Sequence, residues 1–499
     1  MNNEKYILAI DQGTSSTKVL VFDETGQVVA KGAEELHSHY LNNGFVEQDA
    51  EEIFKNVLAA VRKCLDDFKG KGHSINDIIS IGISNQRETF VLWNKNGQPF
   101  YNAVVWQCKR SVNICEQLKQ KGLGPVINQK TGLVIDPYFS ATKLVWLVEN
   151  NSTIKEAVEN GDALFGTIDT WLLYKLTNGK QYLTDHTNAS RTMFFNLHEL
   201  QWDDDLIDAF GLTGIQLPEI KASAAFFGET DCNRLFPHPV PVTAMIGDSH
   251  AAAFGEGCFE KGTAKATMGT GCSILMNIGD QPVQSTNGMV TTICWSIEGR
   301  VDYALEGVIV SCGATIEWLK NELQLFNDSA ATAVIANAVA NNGGVYLVPA
   351  FSGLGSPHWD MERKASLTGM SFGTTKNHLV RAALESIPYQ VKDVIVAMEK
   401  DAGLSLKALM ANGGISANPF VMQFLADLLQ KSISTIATPD VSALGAAYLS
   451  GLSAGLYNSI EAIQQLNSSK RYHQPSAVTT IVNEGYEGWQ KTIKNHSVV

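Results

Sequence analysis

The chain lacks a paired-cysteine pattern. Its eight cysteines (Cys64, Cys108, Cys115, Cys232, Cys258, Cys272, Cys294, Cys312) include no C-x-x-C, which argues against a thiolate zinc site or a disulfide framework and predicts reduced, mostly buried thiols. It also lacks a basic excess. The formal net charge of -13 argues against a broad electrostatic surface for nucleic acid or an anionic membrane, so any anionic ligand must be held by local donors. No apolar run approaches the roughly 18 residues that a membrane-spanning helix needs, and the N-terminus passes into a strand-like segment without a basic and apolar leader. A cytoplasmic protein is expected. No proline-rich, glutamine-rich or charge-block stretch marks a tail or linker.

What is present is bulk. With 499 residues, 44% of them hydrophobic, the chain exceeds what one core usually serves, and two domains flanking a cleft are expected, spanning 1–255 and 256–499. The opening segment Tyr6 to Phe22 holds two runs rich in Ile, Leu and Val. They are joined by a turn with Asp11, Gly13 and the hydroxyls of Thr14, Ser15 and Ser16. Such a turn suits a nucleotide's phosphates: Gly13 lets the backbone approach an anion, and Asp11 can hold a hydrated Mg2+ between phosphates. On local pattern alone an ordinary polar hairpin turn fits equally well. Gln27 to Lys31 reads as a third antiparallel strand, and Asp49 to Phe68 as an amphipathic helix with Asp49 near its cap.

The second half repeats the theme. An apolar run ends at Ile246 before Gly247-Asp248-Ser249-His250, and Thr263 to Met268 leads into Gly269-Thr270-Gly271 and a further apolar stretch. Later, Ala408 to Asn412 leads into Gly413-Gly414 and a helix-like segment from Asn418, where glycines let a nucleotide lie against the backbone.

These turns, in this order, resemble the sugar kinase, Hsp70 and actin superfamily. The specific matches are longer: Asn85-Gln86-Arg87-Glu88, Val105 to Arg110, Gly132 to Ser140, Asp169-Thr170-Trp171, Thr187 to Thr192, and Gly369-Met370-Ser371-Phe372-Gly373 running into His378 to Ser386. Together they resemble the FGGY carbohydrate kinases, and within them the glycerol kinases, from about Tyr6 to Trp489.

The resemblance implies an α/β fold of two actin-like, ribonuclease H-like domains around an interdomain cleft. It implies ATP and Mg2+ as cofactors and a small polyol or sugar as substrate, with phosphoryl transfer to a primary hydroxyl; homodimers or homotetramers are common among such kinases. It places Arg87, Glu88, Tyr138, Asp248 and Ser249 at the substrate hydroxyls, with Trp106 as an apolar wall and Asp248 as general base. An Arg87–Glu88 surface pair and a helix-capping Asp248 are the structural alternatives. For the nucleotide, the matching positions are Thr14, Ser15, Ser16 and Lys18, then Thr270, Gly313, Glu317, Gly414 and Asn418, with Asp11 and Asp248 at the metal.

Several positions depart from the pattern. Lys18 stands where arginine is common and Glu317 where a glutamine contacts the nucleotide. Ser249 replaces a glutamine and Ser273 a phenylalanine, both beside the substrate. The two serines open room for a larger polyol or ketose such as erythritol, xylitol, ribulose or xylulose, against the simpler expectation that glycerol is the substrate. A non-enzymatic ATP-binding switch is the rival class, and the substrate-binding set speaks against it.

Overall fold

The computed structural model describes residues 4–436, 440–466, 470–477 and 480–495. The branched apolar runs of the opening segment form a buried antiparallel hairpin, Tyr6–Gln12 with Ser16–Phe22, in which Asp11 faces Lys18 and Gln12 faces Thr17. Val28–Glu35 adds the expected third strand. On the other side of Tyr6–Gln12, Ile78–Asn85 and then Val240–Gly247 pair in parallel, and Ala224–Thr230 closes the edge antiparallel. The helix Ala50–Gly70 covers this sheet with Ile53, Val57, Val61 and Leu65, and Asp49 caps it by accepting from the N–H groups of Glu51 and Glu52.

A second sheet repeats the plan. Thr263–Met268 and Cys272–Gly279 form a hairpin, continued antiparallel by Arg300–Ile309 and Val290–Ile297. Ala408–Asn412 and Ile433–Ile436 pair in parallel on the opposite side, with Lys470–His473 antiparallel at the edge.

Parallel pairing decides where chemistry can sit. In the first sheet it brings the ends of three strands into line, with Gln12 beside Asn85 and Asn85 beside Gly247; in the second, Thr267 lies beside Asn412. The loops that follow these ends therefore converge on one edge of each sheet.

Two helices, Asp248–Gly255 and Val441–Ser453, lie between the sheets. Their crossing depends on glycine: a Cβ on Gly445 would stand 1.8 Å from the Ala251 carbonyl oxygen. Around them Ile7, Ala9, Phe254, Leu275, Met410 and Leu444 share one apolar core that draws on both sheets. A third region, inserted within the first half, has its own core around Phe90, Phe165 and Phe194 and a five-stranded sheet ordered His39–Tyr40, Val46–Gln48, Ala103–Val104, Phe90–Trp93, Leu164–Thr167. Trp106 and Tyr138 pack on this core as partly buried rings. The eight cysteines are free and buried, as expected, and no helix among the described residues is long and apolar enough to cross a membrane.

Candidate active site

At the edge of the first sheet, Asp11 and Lys18 sit opposite each other and line one cleft with Arg87, Asp248 and Ser249. The cleft has a volume of about 360 Å3 and is closed from the second sheet by Lys265, Thr267, Ser273 and Asn412. The hairpin turn is braced rather than loose. Thr17 donates to the Gln12 amide oxygen at 2.6 Å, Gln48 donates to the Thr14 carbonyl at 2.7 Å, and Gln86 donates to Gln48 at 2.8 Å, so a chain of amides ties the turn to the loop that carries Arg87. One detail of the sequence expectation changes: the Gly13 N–H donates to Ser16 O at 2.9 Å, so this donor serves the turn itself and not an anion.

Two carboxylates face this end. Asp11 accepts from the Ser84 hydroxyl at 3.0 Å, yet its carboxyl is pushed up to about 7 by burial and by the nearby charge of Asp248. Like charges kept this close favour a cation between them. Lys18 is not free for that purpose, because it donates to Asp440 at 2.7 Å just before the helix Val441–Ser453. Among the described residues no group of three or more His, Cys, Asp or Glu side chains stands ready to hold a metal. The donor set therefore fits a Mg2+ ion that takes most of its ligands from phosphates and water, and misfits an ion caged by protein.

Asp248 is the first residue of its helix, following the strand that ends at Gly247. Its carboxylate oxygen Oδ1 accepts from the Ser249 N–H at 2.6 Å and from Arg87 Nε at 3.2 Å, while Gly247 holds the N-cap position and no side chain caps the helix, which overturns the capping alternative. The side chain is 38% exposed while that of Arg87 is 7% exposed, which makes Asp248 the reachable member of the pair.

Arg87 and Glu88 do not pair with each other, which overturns the surface-pair alternative. Arg87 Nη1 donates to Glu306 Oε1 at 2.9 Å, Arg191 Nη2 lies 2.8 Å from Glu306 Oε2, and Arg191 Nε donates to Glu88 at 2.6 Å. The four side chains form a buried alternating-charge network, and one of its acids comes from the second sheet. Burial alone would raise the Glu306 carboxyl, but Arg191 and Arg87 together hold it well below the usual carboxylate range. In Glu88 burial wins over Arg87 and Arg191, and its carboxyl is raised. Glu88 also sits at φ 60°, a left-handed conformation that costs a glutamate on the order of 1–3 kcal/mol. The Ser140 hydroxyl, donating to the Glu88 carbonyl at 2.8 Å, helps to fix it.

Trp106, the expected apolar wall, packs against Tyr138, which the resemblance placed at the substrate hydroxyls. The Trp106 and Tyr138 rings meet edge to face at 5.4 Å, and Trp106 donates its indole N–H to the Thr14 hydroxyl at 3.0 Å, joining the wall to the phosphate-type turn. The Lys143 ammonium donates to the carbonyls of Pro137, Tyr138 and Phe139 at 2.7, 2.7 and 2.9 Å and so fixes the loop that presents Tyr138.

The remaining nucleotide candidates gather at the second sheet. Gly313 donates to Gly269 O at 2.9 Å, bringing the helix Gly313–Asn321 against the turn that holds Thr270. Gly413 adopts φ +88°, and a Cβ there would lie 2.5 Å from Met268 O, so Gly414 is presented beside the same turn. Asn418 is partly committed elsewhere: it caps the helix Pro419–Leu429 and donates to the Thr332 hydroxyl at 2.9 Å. Glu317 is exposed and accepts from Ser329 at 3.3 Å.

Sequence reasoning missed Arg191 as a site residue, and it missed Glu306, Lys265 and Asp440. The available signal was a charged residue inside an apolar strand: Glu306 in Tyr303-Ala-Leu-Glu306-Gly-Val-Ile-Val310 and Lys265 in Thr263 to Met268.

Two sheets of the same plan, closing on a cleft lined by glycine turns and buried charge, make the architecture of a two-lobed sugar kinase. The chain belongs to the FGGY family of carbohydrate kinases: the family's N-terminal domain matches residues 6–255 and its C-terminal domain residues 264–454. It is 46% identical over 492 residues to a glycerol kinase of Carboxydothermus hydrogenoformans, covering 98% of each chain, and 45% identical over 493 residues to a glycerol kinase of Bacillus thuringiensis, covering 98% of this chain and 99% of that one. Among solved structures it resembles Plasmodium falciparum glycerol kinase with ADP, at a TM-score of 0.94 and 35% identity over 99% of both chains. A xylulose kinase from Lactobacillus acidophilus, 22% identical with a TM-score of 0.87 over 99% of both chains, shares the fold.

Proposed function

We propose that this protein transfers the γ-phosphoryl group of ATP to a primary hydroxyl of glycerol, giving glycerol 3-phosphate and ADP. The observation that carries the reading is the position of Asp248. It is an accessible carboxylate at the start of an interlobe helix, in one cleft with the Asp11–Lys18 turn and held by Arg87.

In this reading Asp248 accepts the proton of the attacking hydroxyl, and Arg87 orients the carboxylate for it. Arg87 and Glu88, locked by Arg191 and Glu306, hold the adjacent hydroxyls, while the Trp106 and Tyr138 rings cover the carbon chain. Thr14, Ser15, Ser16, Lys18 and Thr270 hold the phosphates; Gly313, Glu317, Gly414 and Asn418 border the nucleoside. Asp11, with Asp248, holds Mg2+, which when bound neutralises phosphate charge during transfer. The chemistry asked of the protein is positioning and electrostatics, since phosphoryl transfer needs the nucleophile, phosphorus and leaving oxygen in line. The lobes divide at about residue 255, the first supplying the acceptor side and the second most of the nucleotide side. Closure of the lobes keeps water from competing with the alcohol.

The test is ADP formation in a coupled assay with and without glycerol. Glycerol-dependent ADP release, with glycerol 3-phosphate as product, is the expected result. Glycerol-independent ATP hydrolysis alone would favour a nucleotide switch and contradict the reading.

A further inference from the structure

Below Asp248 the cleft has a polar floor. Ser249, on the interlobe helix, and Ser273, on the strand Cys272–Gly279, approach each other Oγ to Oγ at 3.2 Å. The buried Lys265 ammonium donates to Ser249 at 2.5 Å and to Thr267 at 3.0 Å, and Ser273 donates to Glu306 at 3.2 Å. All four of Lys265, Ser249, Thr267 and Ser273 line the same cleft as Arg87 and Asp248.

This floor has hydrogen-bonding capacity to spare. An ammonium carries three N–H donors, and the structure uses two from Lys265. Each serine hydroxyl offers a donor and two acceptor sites, of which the floor uses only part. Lys265 is fully buried, and burial beside Arg87 lowers its pKa, so its charge is costly to keep there without further partners. A hydroxyl both donates and accepts, which makes it the complement of such a surface. A second cavity that Glu306 also lines, of about 110 Å3, is more apolar, with Val134, Val290, Val308 and Trp359 around it and Tyr138 and Arg191 among its polar members.

We propose that Ser249 and Ser273, polarised from behind by the buried Lys265, form a hydroxyl subsite beyond the position of a three-carbon substrate, so that a linear polyol one or two carbons longer than glycerol is also phosphorylated. This rests on the kinase reading given above. The step is unchanged: the polyol's primary oxygen forms a bond to the γ-phosphorus as the bond to the β-phosphate oxygen breaks, its proton passes to Asp248, and ADP leaves.

The experiment measures kcat/KM of the full chain for glycerol, erythritol and xylitol, in the wild type and in Ser273→Phe, which fills the floor. Erythritol or xylitol should reach a specificity constant within roughly 10-fold of glycerol. Ser273→Phe should lower the ratio of longer polyol to glycerol by at least about 10-fold, within the range that shape changes in a pocket produce. Using the ratio removes any general loss of folded enzyme. Ser249→Ala gives a second, smaller perturbation that should move the ratio in the same direction. Glycerol turnover with both longer polyols below roughly one-thousandth of its specificity constant would overturn the subsite and leave the glycerol reading standing, as would a ratio indifferent to Ser273→Phe. Absence of ADP release with every polyol, glycerol included, would overturn both.

Discussion

The two ends of the cleft are built from different materials. The end proposed for the nucleotide is built on turns, the hairpin around Thr14, the Gly269–Gly271 turn with Gly313 against it and the Gly413–Gly414 step, with the charges of Asp11, Lys18 and Asp440 beside them. The acceptor end consists of charge, with Arg87, Arg191, Glu88 and Glu306 interlocked and buried. The difference teaches where rigidity resides. The turns are held by neutral backbone and amide hydrogen bonds, each worth about 1 kcal/mol, whereas a buried network of opposite charges is fixed by the larger cost of breaking it.

If that contrast is right, the largest effect of a single substitution falls at the acceptor end. Glu306→Gln removes a carboxylate that pairs with both guanidinium groups, and should cost about 3–5 kcal/mol in a denaturant-unfolding experiment. The pH dependence has a definite sign. Because the folded Glu306 carboxyl lies below its unfolded value, its contribution is fully present above the unfolded range and is lost as pH falls toward the folded value. The gap between wild type and variant should therefore stay constant from about pH 5 to 8 and shrink below roughly pH 4.

At the nucleotide end, Gly413→Ala should cost about 1–3 kcal/mol, since it combines a left-handed backbone with a Cβ pressed on Met268 O. Calorimetric ADP binding should weaken with it. Equal costs at Gly413 and Glu306 would erase the contrast between the two ends.

Asp11 offers a third test. Its folded carboxyl is raised to about 7, so in the ligand-free protein it favours folding at low pH and loses that contribution as pH rises through about 7. Holding Mg2+ requires the ionised form. Affinity for Mg-ADP should fall by up to about 10-fold per pH unit below 7, roughly 1.4 kcal/mol each, and Asp11→Asn should bind more weakly with a flatter profile.

The smallest effect is expected at Lys18. Its pair with Asp440 is partly exposed, with 44% of the lysine side chain accessible, so Lys18→Met should change stability by less than about 1 kcal/mol while raising KM for ATP.

The same contrast governs what the amino-acid order revealed. The opening hairpin and the helix capped by Asp49 were legible because each rests on local periodicity or a local cap. The glycine turns were legible for the same reason. The acceptor network was only half legible. Arg87 and Glu88 stand in a recognisable segment, but their partners lie 219 residues away at Glu306 and 103 residues away at Arg191, and no local pattern joins them. That the Gly13 N–H itself is taken was not legible: a hairpin turn must first satisfy its own backbone, and Ser16 O claims that N–H. The inserted sheet with Ala103–Val104 at its centre escaped notice because its strands are two to four residues long and are recruited from separated segments.

The central claim is that Asp248 takes the proton of the alcohol. Asp248→Asn keeps an oxygen for Arg87 and for the Ser249 N–H but accepts no proton, so it separates chemistry from architecture. The account predicts a fall in kcat of about 100- to 10,000-fold with the unfolding midpoint close to that of the wild type. A variant that folds normally and phosphorylates glycerol at the wild-type rate would contradict it.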